Sequence, residues 1–257
     1  MKVDLSGRTA LVPGASGGIG SAIAEVLAEC GANVALGYGR NRKRADEVAA
    51  AARVAGVRVR TDQIDATDRN AVRAWVDAVS ADFGPIDILA NCVGSDGGFQ
   101  LFREQDPSRW PTLVAQHFWA GVYLVEAVLE PMVARRFGRI IHLSSDGAKV
   151  GQSGVAVANG ASAGLIGFCK GLAREVAQEG ITINVVCAGP TRTPVLDAMI
   201  AGGDTGAKLA AGAARAIPMK RIGEPREVAA MFAFLASDAG SYVTGQALSV
   251  SGGLTMG

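Results

Sequence analysis

The apolar run Thr9-Ala10-Leu11-Val12 empties into Pro13-Gly14-Ala15-Ser16-Gly17-Gly18-Ile19-Gly20. A helical pattern starts at once, with Ile19, Ile23, Val26 and Leu27 on one face. No other stretch restricts the fold as far. Strand, glycine turn and helix in that order is the context that a dinucleotide-binding fingerprint requires. The spacing is Gly-x-x-x-Gly-x-Gly. Gly14, Gly18 and Gly20 let the backbone approach a pyrophosphate, and the helix N-terminus, with Ser16 and Ile19 in the same turn, supplies amide donors and a partial positive charge. Taken alone the glycines would mark only a tight bend. In this setting they mark nucleotide binding, or descent from it.

The alternation continues along the chain. Strands are expected at Asn33–Tyr38, Val57–Ile64, within Pro85–Gly94, at Arg139–Leu143, at Ile181–Val186 and near Tyr242–Gly253. Helices are expected at Arg42–Arg53, at Arg69–Phe83 with Thr67 or Asp68 as its cap, at Trp110–Arg135, at Asn159–Gln178, and from Glu224-Pro225 onward. That order predicts an α/β fold, a single Rossmann-like domain over residues 1–257 with a doubly wound parallel sheet of about seven strands and helices on both faces. A chain of 257 residues is long enough to bury a full core. Hydrophobic residues make up 49%, and the net charge is +1, so no single-sign excess points to nucleic acid or a membrane surface. No apolar run is read as approaching the roughly 18–20 residues of a membrane span. The polar start Met1–Gly7 argues against a signal peptide. Cys30, Cys92, Cys169 and Cys187 lack metal-ligand spacing, so no metal is expected and the thiols read as apolar side chains in a cytoplasmic protein.

The end of the second strand bears on the nucleotide. NAD-selective sites place a carboxylate there for the ribose 2′-hydroxyl, whereas NADP sites offer cations. This chain continues Gly39-Arg40-Asn41-Arg42-Lys43-Arg44. Arg40 is the best candidate for a 2′-phosphate, although a basic, solvated helix start fits the same residues. NADP is therefore slightly favoured over NAD, if either binds.

Beyond the fifth strand the chain reads Ser144-Ser145-Asp146-Gly147, a glycine-rich loop, and then a helix containing Ala163-Gly164-Leu165-Ile166-Gly167-Phe168. This segment resembles the active-site segment of the short-chain dehydrogenase/reductases, in the branch of the 3-oxoacyl reductases. The other motifs of that family follow in order over essentially the whole chain. The resemblance places Ser145 at the catalytic serine, Ala158 where the family has its tyrosine and Ser162 where it has its lysine. Counting back from Gly121 puts Phe118 at the helix asparagine that holds a relay water. A core or interface aromatic is the alternative reading of Phe118. The resemblance also implies that Asp65 meets the adenine edge and that Asn91 and Gly94 belong to the fourth-strand signature. It matches Gly189 and Thr193 to the segment that reaches the nicotinamide or phosphate.

In the family the tyrosine is the general acid or base, a role worth about 10² to 10⁴ in rate. Ala158 and Ser162 cannot fill it. His117, His142, Asp146 and Lys149 are the substitutes to consider. The resemblance then implies a non-catalytic subunit that assembles as a homo- or hetero-oligomer with an active relative acting on a small oxoacyl, hydroxyacyl or related carbonyl substrate. Mixed ketoreductase pairs of antibiotic pathways and the two-subunit dehydrogenase of anaerobic toluene breakdown are precedents. The alternative is an NAD(P)(H)-dependent oxidoreductase with a rebuilt proton relay. Residues 195–217, rich in Ala and Gly, suit a mobile substrate lid or a partner-facing loop.

Overall fold

The structure, a computed structural model, describes residues 3–94 and 98–256; Met1 and Lys2 of the polar start lie outside the described residues. Seven parallel strands form one sheet: β1 (Thr9–Pro13), β2 (Asn33–Tyr38), β3 (Val59–Gln63), β4 (Ile88–Asn91), β5 (Gly138–Ser145), β6 (Ile181–Ala188) and β7 (Ala247–Val250). Their order is β3-β2-β1-β4-β5-β6-β7. The winding direction reverses between β1 and β4, and that leaves a crevice beyond the carboxyl ends of those two strands.

Alternation along the strands sends side chains to two separate cores. Ala10, Val12, Val34 and Leu36 face one layer, made by α1 (Gly18–Glu29), α2 (Arg42–Arg53) and α10 (Pro225–Ala236), with Phe232 and Leu27 wholly buried. Leu11, Ala35 and Leu89 face the other layer, made by α3 (Arg69–Phe83), α5 (Ala120–Arg135) and α7 (Ala156–Val176). Strands buried on both faces read as largely apolar runs, and in β1 and β6 the exceptions, Thr9, Thr182 and Asn184, are themselves buried.

Local signals set most boundaries. Asp68 caps α3, accepting from the amides of Asn70 and Ala71. Glu224 and Glu227 form a reciprocal capping box ahead of α10, with Pro225 in its first turn. Several expectations are corrected. Strand β5 runs on through Ser144 and Ser145, because β6 also continues to Ala188 and pairs with it to the end. The helix after the loop starts at Ala156 rather than Asn159. Residues 195–217, read as a mobile lid or a partner-facing loop, are largely helical, in α8 (Pro194–Ala201) and α9 (Asp204–Ala216), as their alanine content allows. The expected helix from Trp110 to Arg135 is not uniform: α4 (Trp110–Val114) passes into a π-helical turn, Ala115–Trp119, before α5.

The helical run Pro107–Arg135 is, by length and composition, apolar enough to cross a membrane, contrary to the reading of the sequence. Here its buried face, Leu124, Val128 and Met132 among others, belongs to the core over the sheet. Arg135 ties its end to Asp87 at 2.8 Å and to the Ile86 carbonyl.

Truncating Phe232 to alanine should cost about 3–5 kcal/mol, since its ring is fully enclosed between α10, α1 and the sheet. Urea unfolding should show the midpoint falling with an unchanged slope.

Candidate functional site

The turn after β1 is held by β2 and β4. The amides of Gly14 and Ala15 donate to the Gly37 carbonyl at 2.9 and 3.0 Å, and the Cys92 amide donates to Pro13 O at 3.0 Å. Gly14 has φ +81°, and a Cβ there would lie 2.4 Å from the Cys92 carbonyl oxygen. A Cβ on Gly20 would lie 2.3 Å from the Gly14 carbonyl oxygen. No side chain fits at either position. Gly17, the N-cap of α1, has no side chain to satisfy the first-turn amides. Those amides and the helix dipole face a large open cleft of about 1280 Å³. The cradle is therefore a backbone anion site at the sheet's reversal point, and a dinucleotide pyrophosphate fits it.

The cleft extends from this turn in two directions. Toward β2 it is lined by Tyr38, Arg40, Asn41, Arg44 and Asp65. Arg40 is exposed and Arg44 reaches back to Glu47 at 3.1 Å, so two guanidinium groups stand at this end. Asp65 Oδ1 accepts from the Thr67 amide and hydroxyl, which fixes its side chain at the cleft edge. Toward β5 the lining includes Ser145, Gln152, Ala158, Asn159, Ser162, Gly94, His117 and Thr193. Ser145 Oγ accepts from the Gly147 amide at 3.1 Å. Thr193 caps α8 and touches the Gly18 turn, where a Cβ would meet it at 2.7 Å.

Of the residues read from the sequence, Gly14, Ser16, Gly18, Ile19, Gly20, Arg40, Asp65, Gly94, Ser145, Ala158, Ser162 and Thr193 line this one cleft. Three do not. Asn91 is buried below it, its Oδ1 accepting from the Val93 amide and its Nδ2 donating to His142 Nδ1 at 2.9 Å. Gly189 packs against Ser251 and donates to the Val250 carbonyl. Phe118 points to the outer side of α7, against Gly164 and edge-on to Phe168. Within the π turn Ala115–Trp119 it is His117, rather than Phe118, that reaches the cleft, a facing that a motif count back from Gly121 does not address.

His117 is also the only one of the four candidate substitutes on the cleft wall. His142 is enclosed in β5, and burial pushes it down to about 4. Asp146 is buried behind Ser145, and Lys149 Nζ turns to Ala247 O and Ser249 Oγ on β7. His117 Nδ1 lies 3.1 Å from Ser162 Oγ, across 45 residues of sequence, and burial lowers its proton affinity.

Sequence reading took Arg44 only as part of the basic run after β2, and missed Gln152, Asn159 and the outer wall formed by Phe99, Arg109, Trp110 and Leu113. That outer wall is tied across the cleft by Gln100, whose amide donates to the Gly154 carbonyl at 2.9 Å. Its only sequence trace is aromatic content between β4 and α4, which no motif marks.

A parallel seven-stranded sheet with a glycine cradle at its reversal point defines a dinucleotide-binding Rossmann-type protein. A family model described as enoyl-(acyl carrier protein) reductase matches residues 14–255. The chain is 37% identical over 254 residues to the 3-oxoacyl-acyl-carrier-protein reductase FabG of Escherichia coli, covering 99% of this chain and 100% of that one. It is 38% identical over 255 residues to nodulation protein G of Rhizobium sp., covering 98% and 99%. A crystal structure assigned to the short-chain alcohol dehydrogenases, from Sinorhizobium meliloti 1021, superposes with a TM-score of 0.90 at 31% identity, covering 99% of this chain and 98% of that one. The chain belongs to the short-chain dehydrogenase/reductase family.

Asn91→Ala should leave both ring nitrogens of buried His142 unpaired, a loss of about 1–3 kcal/mol. Because Asn91 does not line the cleft, the folded variant should keep the parent's nucleotide affinity within about twofold, on the scale where tenfold is ~1.4 kcal/mol. Thermal melts and a nucleotide titration of the same sample would check both halves.

Proposed function

We propose that this chain is an NAD(P)(H)-dependent oxidoreductase that prefers NADP(H) and acts on a carbonyl or hydroxyl carbon of an oxoacyl- or hydroxyacyl-type substrate. The observation that carries this reading is one continuous cleft. It joins the guanidinium groups of Arg40 and Arg44, the uncapped N-terminus of α1, and the polar wall of Ser145, Ser162 and His117. A bound nicotinamide would supply or accept the hydride. Ser16, Ile19 and the first-turn amides of α1 suit the pyrophosphate, and Arg40 with Arg44 suits a 2′-phosphate. Ser145, with its hydroxyl oriented by the Gly147 amide, suits the reacting oxygen. The names of the relatives, 3-oxoacyl reductases among them, support the substrate class. All four cysteines are without disulfides, which suits a reducing cytoplasm.

One observation favours a second reading. Ala158 presents only a methyl group to the cleft, and Ser162 beside it is neutral; the resemblance aligns these two positions with the family's tyrosine and lysine. A subunit of this kind would serve as the non-catalytic partner of an active relative. The exposed glycines 160, 164 and 171 on α7 would allow close helix packing in such an oligomer.

Titration of the purified chain with NADPH and NADH separates the readings. NADPH should bind more tightly, and Arg40→Ala combined with Arg44→Ala should reduce that preference about tenfold, which corresponds to ~1.4 kcal/mol. Binding of neither nucleotide, with a stable complex forming on mixing with an active relative, would leave the partner-subunit reading standing alone.

A further inference from the structure

We propose that Ser162 and His117 form the proton relay of this site, Ser162 Oγ meeting the substrate hydroxyl above Ala158 and His117 Nδ1 receiving the proton. This rests on the oxidoreductase reading above.

Four observations on the π turn and α7 converge here. The π turn brings His117 to the cleft, and without that extra residue the helix would present another side chain. Its Nδ1 is 3.1 Å from Ser162 Oγ. Ser162 follows Ala158 by four residues on α7, so it stands one turn along the same face, and both line the cleft with Ser145. The methyl group of Ala158 leaves the space above it open to a substrate oxygen or a water. Ser145 and Ser162 both present hydroxyls to the cleft, and among the described residues it is Ser162 that has an imidazole beside it.

In the direction of alcohol oxidation the atoms balance without a further reagent. The carbon's hydrogen leaves as hydride, the charge that a bound nicotinamide accepts, and the C=O bond forms. The hydroxyl proton passes to Ser162 Oγ as Ser162's own proton passes to Nδ1, which gives an imidazolium. Carbonyl reduction is the reverse, starting from the imidazolium.

Burial lowers His117 from its ordinary value, which favours the neutral imidazole that can accept a proton. The base form is lost as pH falls through that lowered value. Oxidation should therefore be flat above it and decline below. Among the described residues, the titratable groups that share the cleft with His117 are Cys92 just beyond β4, Asp106 and Arg109 ahead of α4, and Tyr38, Arg40, Arg44 and Asp65 at the far end. Helix α7 contributes no charge before Lys170.

The chain has only two histidines, and His142 is enclosed with Asn91, so ¹⁵N-histidine NMR can follow His117 directly. The protein would be titrated with pH in three forms: free, with NADPH, and with NADP⁺. The relay predicts a midpoint below 6.5 that falls further with NADP⁺ than with NADPH, because a cationic ring beside the relay disfavours the imidazolium. With NADP⁺ and 3-hydroxybutyryl-CoA as probe, the rate should follow the same midpoint. His117→Gln should remove that limb and lower kcat about 10² to 10⁴-fold, with KM little changed. A His117 midpoint identical with NADP⁺ and NADPH would overturn the relay whether or not the probe is oxidised. So would a His117→Gln rate and pH profile equal to the parent's. Failure to bind either nucleotide would instead sink the oxidoreductase reading on which the relay depends.

Discussion

The close approach of the first turn to its two neighbouring strands is the constraint on which the rest of the molecule depends. Gly14 sits against the Cys92 carbonyl, and its amide is tied to Gly37 on the other side. These contacts fix the start of α1 over the gap between β1 and β4. In a parallel sheet that gap is the one place where neighbouring connections diverge to opposite faces. The anion cradle, the reversal of winding and the cleft are consequences of the same geometry. A side chain at Gly14 or Gly20 would disturb all three together.

The two cores on either side of the sheet have different functional consequences. The layer of α1, α2 and α10 packs beneath the glycine-turn end of the cleft through buried residues such as Phe232 and Leu27. The layer of α3, α5 and α7 positions the chemical end, because α7 carries Ala158 and Ser162 while the π turn ahead of α5 carries His117. A π turn is less favourable than regular helix and persists where packing or function maintains it. Here it allows Phe118 to pack against Phe168 on the far side of α7 while His117 faces inward. One extra residue in the helix thus serves both an apolar contact and a polar wall.

Buried polar groups show which candidate acids are structural. His142 has its tautomer set by Asn91, whose amide donates to Nδ1, and the low dielectric around it disfavours the imidazolium. Asn91 in turn orders the chain beyond β4 through the Val93 amide. This pair links β4 and β5 beneath the cleft floor. Its polarity therefore maintains the sheet, while the polarity of His117 and Ser162 is presented to the cleft.

The sequence alone determined the elements and the glycine-turn end of the cleft. Strand and helix periods, the Asp68 cap, the Glu224-Pro225 start and the glycine spacing are local, and each depends on residues within a few positions of one another. Gly14, Gly18, Arg40 and Asp65 were legible for that reason, since each lies at the end of a strand that the pattern already marked. The tertiary structure decided the chemical end. Ser145 and Ser162 were legible as positions, but the partnership of Ser162 with His117 spans 45 residues and depends on a helical turn whose spacing departs from 3.6 residues. A motif count back from Gly121 assigns Phe118 a place in the chain but not the direction in which its side chain points. Likewise Asn91 and Gly189 stand in recognisable motifs, yet only the packing of adjacent strands turns them away from the cleft. Local patterns specify secondary structure, whereas which face a side chain presents, and to which distant residue, is settled by the packing of elements against one another.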